Sequence, residues 1–170
     1  MGLSREDWIT NATHIGNGGW GNDFQYVFFD PDGLLYGVVY DRLHKRSPPP
    51  GGGGWYATST VVGSSGWSDF EFLFFDPEGI LYGVQNGTFH KRSPPANQSD
   101  DWFGSSTLIG STGWSNFQLL FFTGDDELYG VYEDKLYLVS QSDDWMASST
   151  IVGSNGWSEF KFLMADWQLS

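Results

Sequence analysis

Two series of tryptophans share one period and one offset, and that register restricts the fold more than any other feature of the chain. The leading members are Trp8, Trp55, Trp102 and Trp145, and the followers are Trp20, Trp67, Trp114 and Trp157. Both series step by 47, 47 and 43 residues, and each leader precedes its follower by 12. A third marker keeps the same register. Leu35-Tyr36-Gly37-Val38 returns as Leu81-Tyr82-Gly83-Val84 and Leu128-Tyr129-Gly130-Val131, each 11 residues after the first Phe of an aromatic run, and it has no fourth copy. Self-similarity of this length marks a repeat architecture. The repeats span approximately 7–53, 54–100 and 101–143, with a partial fourth over 144–170.

Each unit reads as four short strands. The aromatic runs Phe24–Phe29, Phe70–Phe75 and Phe117–Phe122 are nearly continuous apolar sequence, which predicts strands buried on both faces. Asp30-Pro31-Asp32-Gly33 and Asp76-Pro77-Glu78-Gly79 follow as hairpin turns, Pro presetting the first corner and Gly accepting a positive φ. Asp125-Asp126-Glu127 is the same turn in degenerate form. After the Leu-Tyr-Gly-Val strand comes a third strand (Arg42–Lys45, Thr88–Lys91, Lys135–Leu138), then a Trp-led fourth over Trp55–Val62, Trp102–Ile109 and Trp145–Val152. No segment keeps a helical period of useful length. Four antiparallel strands in a repeat of this size describe the blade of a β-propeller, so the expected fold is all-β, a single propeller domain over residues 1–170.

The global numbers agree and exclude several functions. A chain of 170 residues suits one domain with a sizeable core, and 14 Phe, 9 Trp and 8 Tyr are far from the composition of disorder. The net charge of −13 repels phosphate backbones and anionic headgroups, so nucleic acid is not an expected partner. The basic clusters His44-Lys45-Arg46 and His90-Lys91-Arg92 are short and read as solvated strand ends. There is no Cys, hence no disulfide and no zinc–thiolate site. The start, Met1-Gly2-Leu3-Ser4-Arg5-Glu6, has no apolar secretion core, and no apolar run reaches membrane-spanning length, so a soluble chain with no membrane insertion is expected.

A search for catalysis finds little. His44 and His90 fall at equivalent places on the third strand, where the third repeat has Tyr137, which suits a strand-surface residue better than a base; His14 stands outside this register. No Gly-x-Ser-x-Gly elbow, His-Glu-x-x-His pair or phosphate-cradling loop occurs. Asp30-Pro31-Asp32-Gly33 lacks the further oxygen ligands and distal Glu of a calcium loop. The sequons Asn11-Ala12-Thr13, Asn86-Gly87-Thr88 and Asn97-Gln98-Ser99 are possible glycan acceptors, and Asn86-Gly87 also reads as a tight hairpin turn.

The follower tryptophans carry the remaining chemistry. They sit in Gly66-Trp67-Ser68-Asp69, Gly113-Trp114-Ser115-Asn116 and Gly156-Trp157-Ser158-Glu159, each running into Phe. A flat indole, a hydroxyl and a carboxylate or amide within three positions can bind a sugar: the less polar face of a pyranose lies on the ring while polar groups meet its hydroxyls. The alternative is that Trp packs between blades and Ser caps the turn. The first copy, Gly19-Trp20, continues as Gly21-Asn22-Asp23, lacks the Ser and carries one extra residue before Phe24, and so is the weakest candidate.

In the recurring order Asp-Trp, Ser-Thr-Leu/Ile/Val-Ile/Val-Gly, Gly-Trp-Ser-x-Phe, Phe-x-Phe-Leu-Phe-Phe, Leu-Tyr-Gly-Val and Lys-x-Ser-Pro-Pro, the chain resembles the tachylectin-type five-bladed propeller lectins. The resemblance implies binding of glycans bearing N-acetylglucosamine or N-acetylgalactosamine, innate-immune recognition, one shallow site per blade junction, an extracellular setting, no cofactor and no catalysis. Carried over residue by residue, it points to the Gly-Trp-Ser groups named above. A second function class stays open, a propeller scaffold for protein partners. Five blades of this repeat need about 235 residues. The ring is therefore incomplete, or chains associate through unpaired terminal strands into a homo-oligomer, or the chain is a piece of something larger.

Overall fold

Each aromatic run opens a four-stranded antiparallel sheet in which every strand pairs with the next in sequence, as the repeat pattern predicts. The computed structural model describes Trp20 and residues 23–48 and 54–161. The first sheet holds β1 (Phe24–Phe29), β2 (Leu35–Val39), β3 (Arg42–Arg46) and β4 (Thr60–Gly63). The second holds β5 (Phe72–Phe75), β6 (Leu81–Gln85), β7 (Thr88–Arg92) and β8 (Thr107–Gly110). The third holds β9 (Leu119–Phe122), β10 (Leu128–Tyr132), β11 (Lys135–Leu138) and β12 (Thr150–Gly153). The first strands lie side by side, β1 against β5 and β5 against β9, so the sheets are blades ranked around a common inner edge. The arrangement is all-β and propeller-like, and the described blades do not close a ring. The final aromatic run from Phe162 onward lies outside the described residues.

Local chemistry explains the turns. In the first hairpin the Gly33 N–H donates to the Asp30 carbonyl at 3.0 Å, and the Asp30 carboxylate accepts from the Leu34 N–H at 2.8 Å. Asp76 accepts in the same way from Glu78 and Ile80. The degenerate third copy closes from Asp126 N–H to the Thr123 carbonyl at 3.1 Å, with Asp126 taking the positive φ of 62° that glycine holds elsewhere. Asn86-Gly87 is a tight hairpin turn with φ of 53° and 75°, as its sequence predicts.

Three expectations are corrected. The first strand of each blade is not buried on both faces: alternate residues of β1, β5 and β9 are covered more than their neighbours. It is an edge of its sheet, so half its side chains point away from the adjoining blade. The strand shielded on both faces is the second; every residue of β2 and β6 is buried. Gly83 permits this, since a Cβ there would lie 2.6 Å from the Phe70 ring, and Gly130 makes the same room for Phe117.

The fourth strand, secondly, begins five residues after the leading Trp. Trp55–Thr58 forms a helical turn (α1), Trp102–Ser105 a turn, and Trp145–Ser148 another helical turn (α2). The turn lets the indole drop into the core beside the third strand; Trp102 Nε1 donates to the Ser93 carbonyl at 3.0 Å. The preceding Asp caps it: Asp101 accepts from Gly104 N–H at 2.9 Å and Asp144 from Ala147 N–H at 3.1 Å. Gly54 offers α1 no side-chain cap.

Thirdly, His44 is not a surface residue, and His90, though partly exposed, is tied into the blade in the same way. His44 is 3% exposed, and the Nδ1 atoms of His44 and His90 contact Ser59 Oγ and Ser106 Oγ at 2.9 and 2.8 Å. Those hydroxyls donate to the carbonyls of Tyr56 and Phe103. Each imidazole therefore donates to its serine rather than taking a proton from it, a structural role that Tyr137 can replace. Burial lowers both imidazole pKa values, for His44 with help from Arg42.

Two cores result, one per blade junction. Tyr36, Val38 and Leu43 meet Trp67, Phe70 and Trp102 between the first two blades. Tyr82, Val84 and Phe89 meet Trp114, Phe117 and Trp145 between the second and third.

Candidate functional site

The loop that joins one blade to the next is built by three residue types in a fixed order. Gly66, Gly113 and Gly156 adopt φ of +79°, +81° and +81°, a left-handed turn that side-chain-bearing residues resist. A single 3₁₀ turn follows over Trp67–Asp69, Trp114–Asn116 and Trp157–Glu159. The indole is thereby directed back at the end of the preceding fourth strand, where Gly63, Gly110 and Gly153 leave the space; a Cβ at any of them would overlap the ring.

In both described junctions the indole is packing. Trp67 lies 5.8 Å from Trp102, and Trp114 lies 4.1 Å from Phe89 in a stacked pair and 6.3 Å from Trp145. Trp114 is fully covered, and its Nε1 has no hydrogen-bond partner. The exposed groups of the loops are Ser68 and Asp69, Ser115 and Asn116, Ser158 and Glu159. Trp157 is half-buried, and Trp20 is stacked 5.1 Å from Phe24. Gly19 lies outside the described residues.

Two carboxylates that sequence reading did not single out hold these loops. Asp41, in the β2–β3 hairpin, accepts from the Gly66 and Ser68 N–H groups, both at 2.9 Å. Asp134, in the β10–β11 hairpin, accepts from Gly156 N–H at 2.9 Å and from Ser158 through its N–H at 3.0 Å and its hydroxyl at 2.6 Å. The donated bonds from Ser68 and Gly66 lower the Asp41 pKa, and those from Ser158 and Gly156 bring Asp134 to about 2. The middle hairpin has Gly87 at this place, whose carbonyl accepts from Trp114 N–H at 3.2 Å. The alignment of Asp41, Gly87 and Asp134 in consecutive hairpins is the signal that exposes the pair.

A cleft of about 390 Å³ opens between the first two blades. One side is the connecting loop, Ser64 to Trp67, with Phe70 behind it; the other is the segment Gln98 to Phe103, and Gln85 at the end of β6 completes it. The wall is aromatic at Trp67, Trp102 and Phe103, while the rim carries hydroxyl, carboxylate and amide groups. The second wall was also missed in the sequence. It was legible there, because Gln98-Ser99-Asp100-Asp101-Trp102 returns unchanged as Gln141-Ser142-Asp143-Asp144-Trp145. Among the described residues no group of three or more His, Cys, Asp or Glu side chains could hold a metal ion, and no helix is long and apolar enough to cross a membrane.

Comparison with known proteins places this geometry. Residues 2–162 match the family described as Tachylectin. A solved structure of a symmetrical protein, studied for its de novo evolutionary emergence under folding constraints, is 43% identical, with a TM-score of 0.86 over 92% of this chain and 68% of that one. The extracellular domain of BT4673 from B. thetaiotaomicron is 15% identical, with a TM-score of 0.44 over 86% of this chain and 18% of that one. No curated protein matches the chain.

Proposed function

This chain belongs to the tachylectin family, a lectin family, and from that premise we propose that it is a non-enzymatic carbohydrate-binding protein that recognises N-acetylated hexosamines on glycans, in an innate-immune manner, at its blade junctions. The observation that carries the proposal is the cleft between the first two blades, where aromatic walls meet a polar rim of small side chains. A pyranose presents the matching surface, an apolar face edged by hydroxyls. Of the indoles, Trp67 lines that cleft while Trp114 is fully covered, and Ser68, Asp69, Ser115, Asn116, Ser158 and Glu159 are exposed on the connecting loops outside the cleft lining. An acetamido group adds one donor and one acceptor, which such a rim can satisfy.

Residues 1–170 are taken as one propeller domain of three repeats and a partial fourth. Among the described residues no blade follows the third, which supports association of chains through the terminal strands. Phe160 is 46% exposed, against 4% for its counterparts Phe70 and Phe117. Such association would multiply weak sites, and linked sites raise avidity about 100-fold or more where geometry lets them engage together.

The test is retention on immobilised N-acetylglucosamine and N-acetylgalactosamine with elution by the free sugars. Folded protein that passes both resins unretained and gives no signal on a glycan array would end the lectin reading; a sugar-independent protein partner would then favour the scaffold.

A further inference from the structure

The two described junctions carry the same loop and the same Gln-Ser-Asp-Asp-Trp segment, yet three substitutions around them differ. Gln85 at the end of β6 corresponds to Tyr132 at the end of β10, Arg92 at the end of β7 corresponds to Val139, and Phe103 corresponds to Met146. Their consequences are visible in the hydrogen bonds.

In the first junction Arg92 Nη1 donates to Asp100 Oδ1 at 2.6 Å, drawing that carboxylate back along the third strand. The Ala96 N–H contacts its other oxygen at 3.4 Å. Ser64 on the opposite wall is left lining the cleft. Gln85 is 9% exposed; Thr88 Oγ1 donates to its main-chain carbonyl at 2.6 Å, and its side chain is left to the cleft it lines.

The second junction has no arginine to hold the corresponding acid. Asp143 instead accepts from the N–H of Ser111, the counterpart of Ser64, at 3.0 Å, tying the two walls together. Tyr132 stands where Gln85 stood, edge-on to Trp145 at 5.4 Å and to Phe117 at 6.4 Å. A phenol ring and a cross-wall hydrogen bond thus stand where the first junction has the Gln85 amide and the cleft-lining Ser64.

We propose that the two junctions are not equivalent sugar sites: Arg92 positions Asp100 so that the first cleft stays open with Gln85 as its specificity-determining amide, whereas Tyr132 and Asp143 close the second. This rests on the lectin reading and narrows it to one cleft of the two. The lowered pKa of Asp100, caused first by the Arg92 hydrogen bond, agrees with a carboxylate that stays charged and held. Gln85 offers both a donor and an acceptor, the complement of an acetamido group.

The test is titration of the full chain with N-acetylglucosamine, and separately N-acetylgalactosamine, followed by amide NMR and calorimetry. Shift changes are expected to concentrate at Gln85 and Gln98–Phe103, with the Gln141–Met146 segment unmoved. Gln85→Leu and Arg92→Ala should each weaken binding about tenfold or more, the loss of a hydrogen bond at a partly desolvated site. Arg92→Lys should restore most of it, a rescue not expected if Arg92 served packing alone. The double variant Tyr132→Gln with Val139→Arg should add binding in the second cleft, and Tyr132→Gln alone keeps this arm readable if the double variant folds poorly. Equal perturbation of both segments, or unchanged affinity in folded Gln85→Leu and Arg92→Ala, overturns the inequality while the lectin reading stands. Absence of any binding by the unaltered chain removes both.

Discussion

The loop at Gly113–Asn116 and the loop at Gly156–Glu159 are close copies in sequence and backbone, with Gly φ/ψ of 81°/0° and 81°/4°, yet their side chains live in different surroundings. Trp114 is fully covered and Phe117 nearly so, whereas Trp157 is half-buried and Phe160 largely open. In the first case the third blade supplies Trp145 and Tyr132 as cover; in the second no described blade follows. The Gly-Trp-Ser turn is therefore a locally encoded shape, and burial is supplied by the next repeat. Stability accrues at junctions rather than within blades, as expected of a repeat protein.

The sharpest way to break this comparison is to remove each indole. Trp114→Ala should cost about 3–5 kcal/mol, the range for deleting a fully buried large aromatic side chain. Trp157→Ala should cost less than that, because its ring is only partly covered. Thermal or urea unfolding of both variants decides it: equal losses would mean that the indole stabilises its own loop and that the neighbouring blade adds little.

The glycines under the rings give a smaller effect of the same kind. Gly130→Ala pushes a methyl group into Phe117, which is clamped by Trp114 at 5.8 Å and Trp145 at 4.1 Å and has nowhere to move. A loss of about 1–3 kcal/mol is expected for such overpacking. Gly153→Ala meets Trp157, whose ring is less covered than Phe117 and has more room to yield. Its measured loss of stability should be the lesser, and the reverse order would show that the open blade is as tightly packed as the closed junction.

Much of this organisation was legible in the chain because the markers repeat. The paired tryptophans fix the register, Asp-Pro-x-Gly and Asn-Gly define the hairpins, and Leu-Tyr-Gly-Val is a strand wherever it occurs. What resisted reading was relational. An apolar run such as Phe70–Phe75 looks the same whether both faces or one face meets a neighbour, and sheet position decides that. The leading Trp belongs to a turn instead of a strand because its indole must reach the core, and only the Asp before it hinted at a cap. Of the site, the connecting loop could be found from one repeat, but its opposing wall, at Gln98–Phe103, comes from a segment some thirty residues further on. Asp41 likewise acts across 25 and 27 residues, on Gly66 and Ser68. Comparing aligned repeats for where they differ, at Gln85 and Tyr132 or Asp41 and Gly87, recovers more of the site than searching each repeat for a motif.

The hairpin acids offer the gentlest contrast. Asp41 and Asp134 each collect two main-chain N–H groups from a Gly-Trp loop, while Gly87 leaves the Gly113–Asn116 loop with one bond from Trp114 N–H to a carbonyl. Both carboxylates have native pKa values below the ordinary range, so their contribution is complete above the unfolded value near 4 and fades as pH falls through the native value, about 2 for Asp134. Both are solvent-exposed enough that global stability should change little, and the readout is local. Protection of the Gly66 and Ser68 amides, measured as exchange relative to the unstructured peptide at the same pH, should fall in Asp41→Asn at neutral pH and in the unaltered chain on acidification below about pH 4, whereas protection at Gly113 and Ser115 should follow no such acid step. Gly87→Asp should transfer the behaviour to the middle loop: a Cβ there would lie 3.4 Å from Ser115 Oγ and 3.8 Å from Gly113 N, ordinary contact distances, and the φ of +75° is close to the +66° that Asp41 already adopts. If Gly87→Asp leaves exchange at Gly113 and Ser115 untouched, the carboxylate is a passenger on a loop that the glycine and the indole shape alone.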